Sequence, residues 1–262
     1  MFFEVAAETV VLLAIVGFVA GFIDSIAGGG GLLTVPALLL AGLSPVEALG
    51  TNKLQSLFGS GSATIAYAQK GHVDLKSQWR WAVWAAIGSA FGAALATILP
   101  GEWLRAVLPV MLVAIAVYFL LKPSMDDVDR AQRITPALFG ATIVPLVGFY
   151  DGVFGPGTGS FYMLAFVSLA GFGLLKATAH TKLLNFASNV GGFAVFAFVG
   201  VVFWKVGIAM GLAQMLGARL GASVAMRVGA KLIKPLLVIV CLSLAVRLLW
   251  AADHPLRLLV GF

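Results

Sequence analysis

The sequence predicts an all-α polytopic membrane protein, a single membrane domain over residues 1–262 made of two copies of one unit. Composition points there first. Hydrophobic residues make up 61% of the chain and charged residues 11%, against about 45–50% and about 25% in a soluble domain. Segment length comes second. The apolar runs are roughly 15–27 residues long, which suits spanning helices and not the short alternating strands of an outer-membrane barrel. Duplication comes third. Gly21-Phe22-Ile23-Asp24-Ser25-Ile26-Ala27-Gly28-Gly29-Gly30 returns as Gly148-Phe149-Tyr150-Asp151-Gly152-Val153-Phe154-Gly155-Pro156-Gly157, 127 residues on. Lys53-Leu54, Gly88 and Gly92 return as Lys182-Leu183, Gly217 and Gly221, 129 residues on. Duplicated halves with interrupted apolar segments point to a secondary transporter and to its binding site.

The first repeat covers 5–121 and contains segments at about 5–27, 30–43, 45–69, 78–99 and 103–121. A polar linker follows at 122–133, rich in Asp and Arg. The second repeat covers 134–250, with segments at about 134–154, 158–171, 173–199, 205–226 and 232–250. Eight to ten hydrophobic helical segments are therefore expected. Segments 30–43 and 158–171 are short for a bilayer that needs about 20 helical residues, and each follows a glycine-rich break. They read as half-helices. The start Met1-Phe2-Phe3-Glu4 lacks the basic stretch of a signal peptide, so the first segment is expected to stay in the protein.

Charge orients the segments. Lys70, Lys76 and Arg80 place loop 70–80 in the cytoplasm, and Arg227, Lys231 and Lys234 place loop 227–234 there too. Loop 100–105 and loop 200–205 carry little charge and fit the outside, as does the acidic start with Glu4 and Glu8. Equivalent loops of the two halves then lie on opposite sides. This predicts inverted-topology repeats with odd-numbered halves and a cytoplasmic linker. The net charge of +6 serves this orientation. No basic run interleaved with aromatics calls for nucleic acid.

Chemistry concentrates in three places. The glycine runs after Asp24 and Asp151 break the chain, since each Gly costs a helix about 1 kcal/mol. The helices that follow should offer free N–H groups and a positive dipole end to an anion at Gly30, Gly31, Gly157 and Thr158. A close-packed loop is the plainer reading of the same residues. The third segment of each half carries a polar stripe at helical spacing. It holds Asn52, Lys53, Ser56, Gly59 and Ser60, flanked by Gln55, and then Thr178, Thr181, Lys182, Asn185, Ser188, Asn189 and Gly192. A lysine inside a membrane helix is costly and marks function or pairing. Within-repeat pairs, Asp24 with Lys53 and Asp151 with Lys182, would satisfy both lysines; Asp24 and Asp151 could equally exchange coupling protons. His180 stands at the repeat position of Thr51 and is either a proton carrier or a hydrogen-bonded structural residue. Gly88, Gly92, Gly217 and Gly221 read as close helix contacts. Arg219 either snorkels to the cytoplasmic face or lines an exit path. His72, His254 and Cys241 read as ordinary loop and core residues. Three dispersed histidines and one cysteine do not assemble a transition-metal ligand set.

Gly21-Phe22-Ile23-Asp24 with its glycine run, Gly50-Thr51-Asn52-Lys53-Leu54-Gln55, and His180-Thr181-Lys182-Leu183-Leu184-Asn185 resemble the TauE/SafE sulfite exporter family, in particular its YfcA-like branch. The likeness runs over about residues 10–250. It implies a multi-pass transporter of the bacterial inner membrane that carries sulfite, thiosulfate or organosulfonates, usually outward. Members of the family are described with about eight spans arising from a duplication of four, whereas the charge pattern here predicts odd-numbered, inverted halves.

The expected function is thus a secondary carrier of a small anion. Asn52, Lys53, Gln55, His180, Thr181, Lys182, Asn185 and Asn189 supply charge and donors, and the half-helix starts complete the seat. Two cations beside two helix N-termini should favour an anion over a zwitterion such as taurine. An anion channel with the same lining, or a carrier of a non-sulfur organic anion, are the alternatives. No ATP-binding loop, protease arrangement, metal site or cofactor motif occurs, so no enzymatic activity is expected. The partners expected are the substrate anion, a coupling proton or sodium ion, the lipid bilayer and a second copy of the chain.

Overall fold

Among the described residues, nine helices form because long apolar stretches are punctuated by glycine, proline and capping residues. The computed structural model describes residues 6–99 and 126–249, together with Val113, Val117, Leu120 and Leu121. The helices are α1 (Ala7–Ala27), α2 (Gly30–Leu40), α3 (Pro45–Gln69), α4 (Leu75–Ala96), α5 (Pro136–Val153), α6 (Thr158–Ala170), α7 (Leu174–Val199), α8 (Trp204–Val228) and α9 (Ala230–Leu249). Segment 103–121, loop 100–105, Glu4 and His254 lie outside the described residues, apart from the four isolated positions just named.

Ser44 and Glu47 form a capping box at the start of α3, with Pro45 at its first turn. The residues that begin both half-helices, Gly29 (φ 104°) and Gly157 (φ 86°), are left-handed, where a Cβ is disfavoured. Helices α1, α5, α7 and α8 are long and apolar enough to cross a membrane, while α2 and α6 are shorter apolar helices. Helix α3 is as long as these, but its buried face is polar. Large apolar side chains such as Leu12, Ile15, Phe91, Leu146, Phe198 and Leu220 point outward. Such a surface suits a lipid solvent. The chain is a multi-pass membrane protein.

The two halves exchange helices. α1 of the first half packs on α8 of the second, and α4 packs on α5. Small residues let these backbones touch. Gly17 meets Met210, Gly21 meets Gln214 and Gly217 meets Phe18; likewise Gly88 meets Pro145, Gly92 meets Phe149 and Gly152 meets Ser89. Both pairs run parallel. The central helices α3 and α7 cross in opposite senses, since Gly50 faces Phe196 and Gly61 faces Phe186.

Two apolar clusters fill the ends of the bundle. One gathers Ile26, Tyr67, Val73, Phe139, Tyr162, Phe166 and Leu174. The other gathers Leu13, Leu38, Leu49, Ala93, Phe196, Val202 and Met210. The polar stripes of α3 and α7 lie between them.

The first end also collects the basic segments. Residues 126–133 pack on the turn between α6 and α7, with Arg130 N donating to Gly171 O (2.7 Å) and Gly173 N to Asp129 Oδ1 (2.8 Å). Lys176 closes an ion pair with Asp129 at 2.5 Å. The same end holds the start of α4, because Gln78 bonds His180. Asp127 also reaches the α8–α9 junction at Gly229. The loop expected at 227–234 is a single-residue break at Gly229 between helices ending at Val228 and starting at Ala230. A glycine of positive φ there (64°), a conformation other residues rarely adopt, turns the chain without a loop. Segment 200–205 lies at the opposite end, where Phe203 N donates to Thr51 Oγ1 at 3.0 Å.

Candidate functional site

The glycine breaks of the two halves meet at the centre. A Cβ on Gly159 would lie 2.8 Å from Gly28 Cα, so only hydrogen allows this approach. Ser160 Oγ donates across the junction to Ala27 O at 3.3 Å. Beside this contact is a cavity of about 10 Å³, which has room for roughly one water. Its wall includes Asp24, Gly30 and Gly31 from the first break and Asp151, Gly157 and Thr158 from the second. Asn52, Asn185 and Asn189 come from the polar stripes.

The lysines stand behind this wall. Lys53 and Lys182 are fully buried, as are Asp24 and Asp151 to within a few per cent. Their pairing crosses between halves. Lys53 Nζ lies 2.7 Å from Asp151 Oδ1, a close ion pair outside hydrogen-bond alignment. Lys182 Nζ lies 3.3 Å from Asp24 Oδ2 and also donates to the Asp24 main-chain oxygen. The within-repeat pairs expected from the sequence do not form. The antiparallel crossing of α3 and α7 carries each lysine to the other half's break.

Each carboxylate is satisfied further. Asp24 Oδ1 accepts from Gly29 N and Gly30 N, both at 3.0 Å. The first-turn N–H groups expected to be free in the first half are thus partly occupied by the chain's own carboxylate. A five- or six-residue reach suffices for Asp24 to fold over the break. Asp151 Oδ1 accepts from the Thr158 hydroxyl (2.7 Å) and Oδ2 from the Ser188 hydroxyl (2.6 Å). The pair of cations expected to face an anion is therefore neutralised by two carboxylates.

Gln55 Nε2 and Thr34 Oγ1 both donate to Asn52 Oδ1, at 3.0 and 2.6 Å, fixing the amide. Asn189 donates to Asn185 O at 2.8 Å. Thr181 is fully buried beside Lys182 in sequence, and its hydroxyl has no partner among the described residues. His180 lies away from the cavity. Its ring packs on Phe166 and Phe172 and is held by Gln78. Arg219 is exposed on α8. Sequence reasoning did not single out Thr34, Gly159 or the role of Ser188. Ser188 lay in the recognised stripe; Thr34 and Gly159 carry no signal apart from small size.

Residues 13–248 match the family described as Sulfite exporter TauE/SafE. The chain belongs to this family. Among its relatives is the probable membrane transporter protein ORF9 of Sinorhizobium sp, 62% identical, with 98% of this chain and 99% of that one covered. Another is the probable membrane transporter protein YfcA of Escherichia coli (strain K12), 48% identical, with 91% and 89% covered. A third, named only as a probable membrane transporter protein, comes from Haemophilus influenzae and is 45% identical, with 94% and 97% covered. No solved structure matches the chain. The buried polar centre is thus that of a TauE/SafE membrane transporter.

Proposed function

We propose that this TauE/SafE protein is a secondary carrier, working mainly as an exporter, of small sulfur-containing anions such as sulfite, thiosulfate or organosulfonates across the bacterial inner membrane. The observation that carries the reading is the crossed pairing at the centre. Two aspartates and two half-helix starts line a small cavity, and two buried lysines stand directly behind it. Charges buried at this depth are expensive and belong to substrate or ion pathways in membrane proteins. Discontinuous helices at a repeat interface are where secondary carriers bind their cargo.

The repeats are read as inverted about an axis in the membrane plane. The opposed directions of α3 and α7 and the parallel exchanged pairs support this. So does the gathering of 70–80, 126–133 and 227–231 at one end, which is read as cytoplasmic. In this reading Asn52, Asn185, Asn189 and the first-turn groups of α2 and α6 contact the anion. Lys53 and Lys182 supply its countercharge once their aspartates yield, with Gln55 and Thr181 supporting the stripes.

Purified protein reconstituted in liposomes tests the reading by uptake of labelled sulfite, thiosulfate and a sulfonate. Saturable uptake with exchange is expected, and its loss in Lys53→Ala and Lys182→Ala. Non-saturating conductance would make the protein a channel. Transport of carboxylates to the exclusion of sulfur oxyanions would transfer it to a non-sulfur substrate. Lysine variants that fold and transport normally would remove the lysines from the site.

A further inference from the structure

Asp24 engages both the start of α2 and a lysine of the other half. Its Oδ1 caps the first turn of α2 through Gly29 N and Gly30 N, each at 3.0 Å, and its Oδ2 faces Lys182 Nζ at 3.3 Å. These are the donors an anion would need at a helix start beside a cation. Asp151 is not its mirror image. It is held by side chains: Lys53, Thr158 and Ser188.

We infer that the Asp24 carboxylate is a tethered stand-in for the transported anion, and that one proton must arrive with each monovalent anion to vacate the seat. The inference rests on the carrier reading above. The centre holds two lysines and two aspartates and is neutral as it stands. A further anion entering this buried centre would leave one charge unmatched, which a low-dielectric interior resists. If Asp24 takes up a proton, it gives up its claim as an anion on Gly29 N, Gly30 N and Lys182. The anion then accepts from those donors. Proton and anion together add no net charge, so the centre stays neutral. The seat is single because Asp24 accepts from backbone N–H groups at its half-helix start, whereas Asp151 accepts from the Thr158 hydroxyl.

Charged and titratable groups approach Asp24 from several helices. Lys182 approaches from α7. From α3 comes Tyr67, whose hydroxyl donates to Ser25 O at 2.9 Å. Across the cavity Asp151 of α5 is held by Lys53 of α3, with the buried Tyr162 on α6. Where α8 and α6 meet the end of α1 they present Gln214 and Ser160, and α2 presents backbone N–H groups, none of which titrates. Lys231, at the start of α9, is exposed.

Calorimetric titration of the full chain in detergent tests this. Methanesulfonate and thiosulfate are the probes, since neither changes charge near neutral pH. Titration in two buffers of different ionisation enthalpy yields protons taken up per anion bound. Wild-type protein should take up about one proton per methanesulfonate, and affinity should weaken about tenfold for each pH unit raised. Asp24→Asn, checked for folding by gel filtration, should bind with almost no proton uptake and no pH slope. Asp151→Asn, if folded, should retain the uptake. Anion binding by wild type without proton uptake would overturn the inference and leave the carrier reading intact, as would undiminished uptake in folded Asp24→Asn. Failure of every anion to bind would instead overturn the carrier reading, and this inference with it.

Discussion

Lys53 of α3 lies 2.7 Å from Asp151 of α5, while the aspartate of its own half, Asp24, faces Lys182 of α7. Each half of the protein supplies the countercharge for the other. The halves therefore cannot move apart at the centre without exposing or re-pairing a buried charge.

Double-mutant cycles on thermal unfolding should report this crossing. Combining Lys53→Met with Asp151→Asn, or Lys182→Met with Asp24→Asn, should reveal a coupling of about 0.5–3 kcal/mol. Asp24→Asn with Lys53→Met should be nearly additive. Single lysine or aspartate changes should cost about 3–5 kcal/mol, because a lone charge stays buried. Coupling confined to the within-repeat pairs would contradict the geometry.

Gly159→Ala should damage the junction of the breaks. The added methyl would sit 2.8 Å from Gly28 Cα, a backbone atom that cannot rotate away. Overpacking of this kind costs about 1–3 kcal/mol, and transport should fall with it. Gly200→Ala makes a useful contrast. It meets no neighbour within 4 Å, and its cost arises from its φ of 81° alone, away from the centre. Equal transport loss in both would deny the junction a special role.

Topology can be read by cysteine accessibility in intact cells on a Cys241→Ser background. Positions 72, 76 and 131 should label only after the membrane is permeabilised, and the exposed position 205 should label without it. Labelling of 76 and 205 from one side would exclude the inverted arrangement.

The linker clamp should weaken in acid. Burial alone would raise the Asp129 carboxyl, but the Gly173 N–H and the Lys176 ammonium outweigh it and hold the group below its usual range. The folded state thus binds this proton less readily than the unfolded chain. Its contribution is present above the ordinary aspartate value of 3.8 and is lost as pH falls through the lower folded value. The side chain is half exposed, so the effect is local and modest. Hydrogen exchange at the Gly173 amide should be faster in Asp129→Asn than in wild type at neutral pH, and the difference should close in acid. A difference that persists unchanged at low pH would refute the clamp.

Much of the fold was legible because it follows from local chemistry. Apolar runs of bilayer length set α1, α5, α7 and α8, and glycine runs set the breaks before α2 and α6. The expected start of α4 at 78 was late by one turn, since Asp74 caps the helix through Lys76 N and begins it at Leu75. That turn is polar, so hydropathy could not mark it. Most of the cavity wall was legible too, because Asp24, Asp151, Asn52, Asn185 and Asn189 are polar residues in apolar surroundings, and such residues need partners.

What the sequence determined by itself was the set of partners: a membrane chain in two similar halves, each bringing an aspartate, a glycine break and a lysine. It could not determine who pairs with whom. Periodicity along one helix says which residues share a face, but not which distant helix that face meets. Only the tertiary structure decided that, by crossing α3 and α7 in opposite senses and exchanging α1 and α4 between halves. The same packing put His180 under Phe172 instead of at the cavity, and placed the Asp24 carboxylate over the N–H groups that the sequence had left open for an anion.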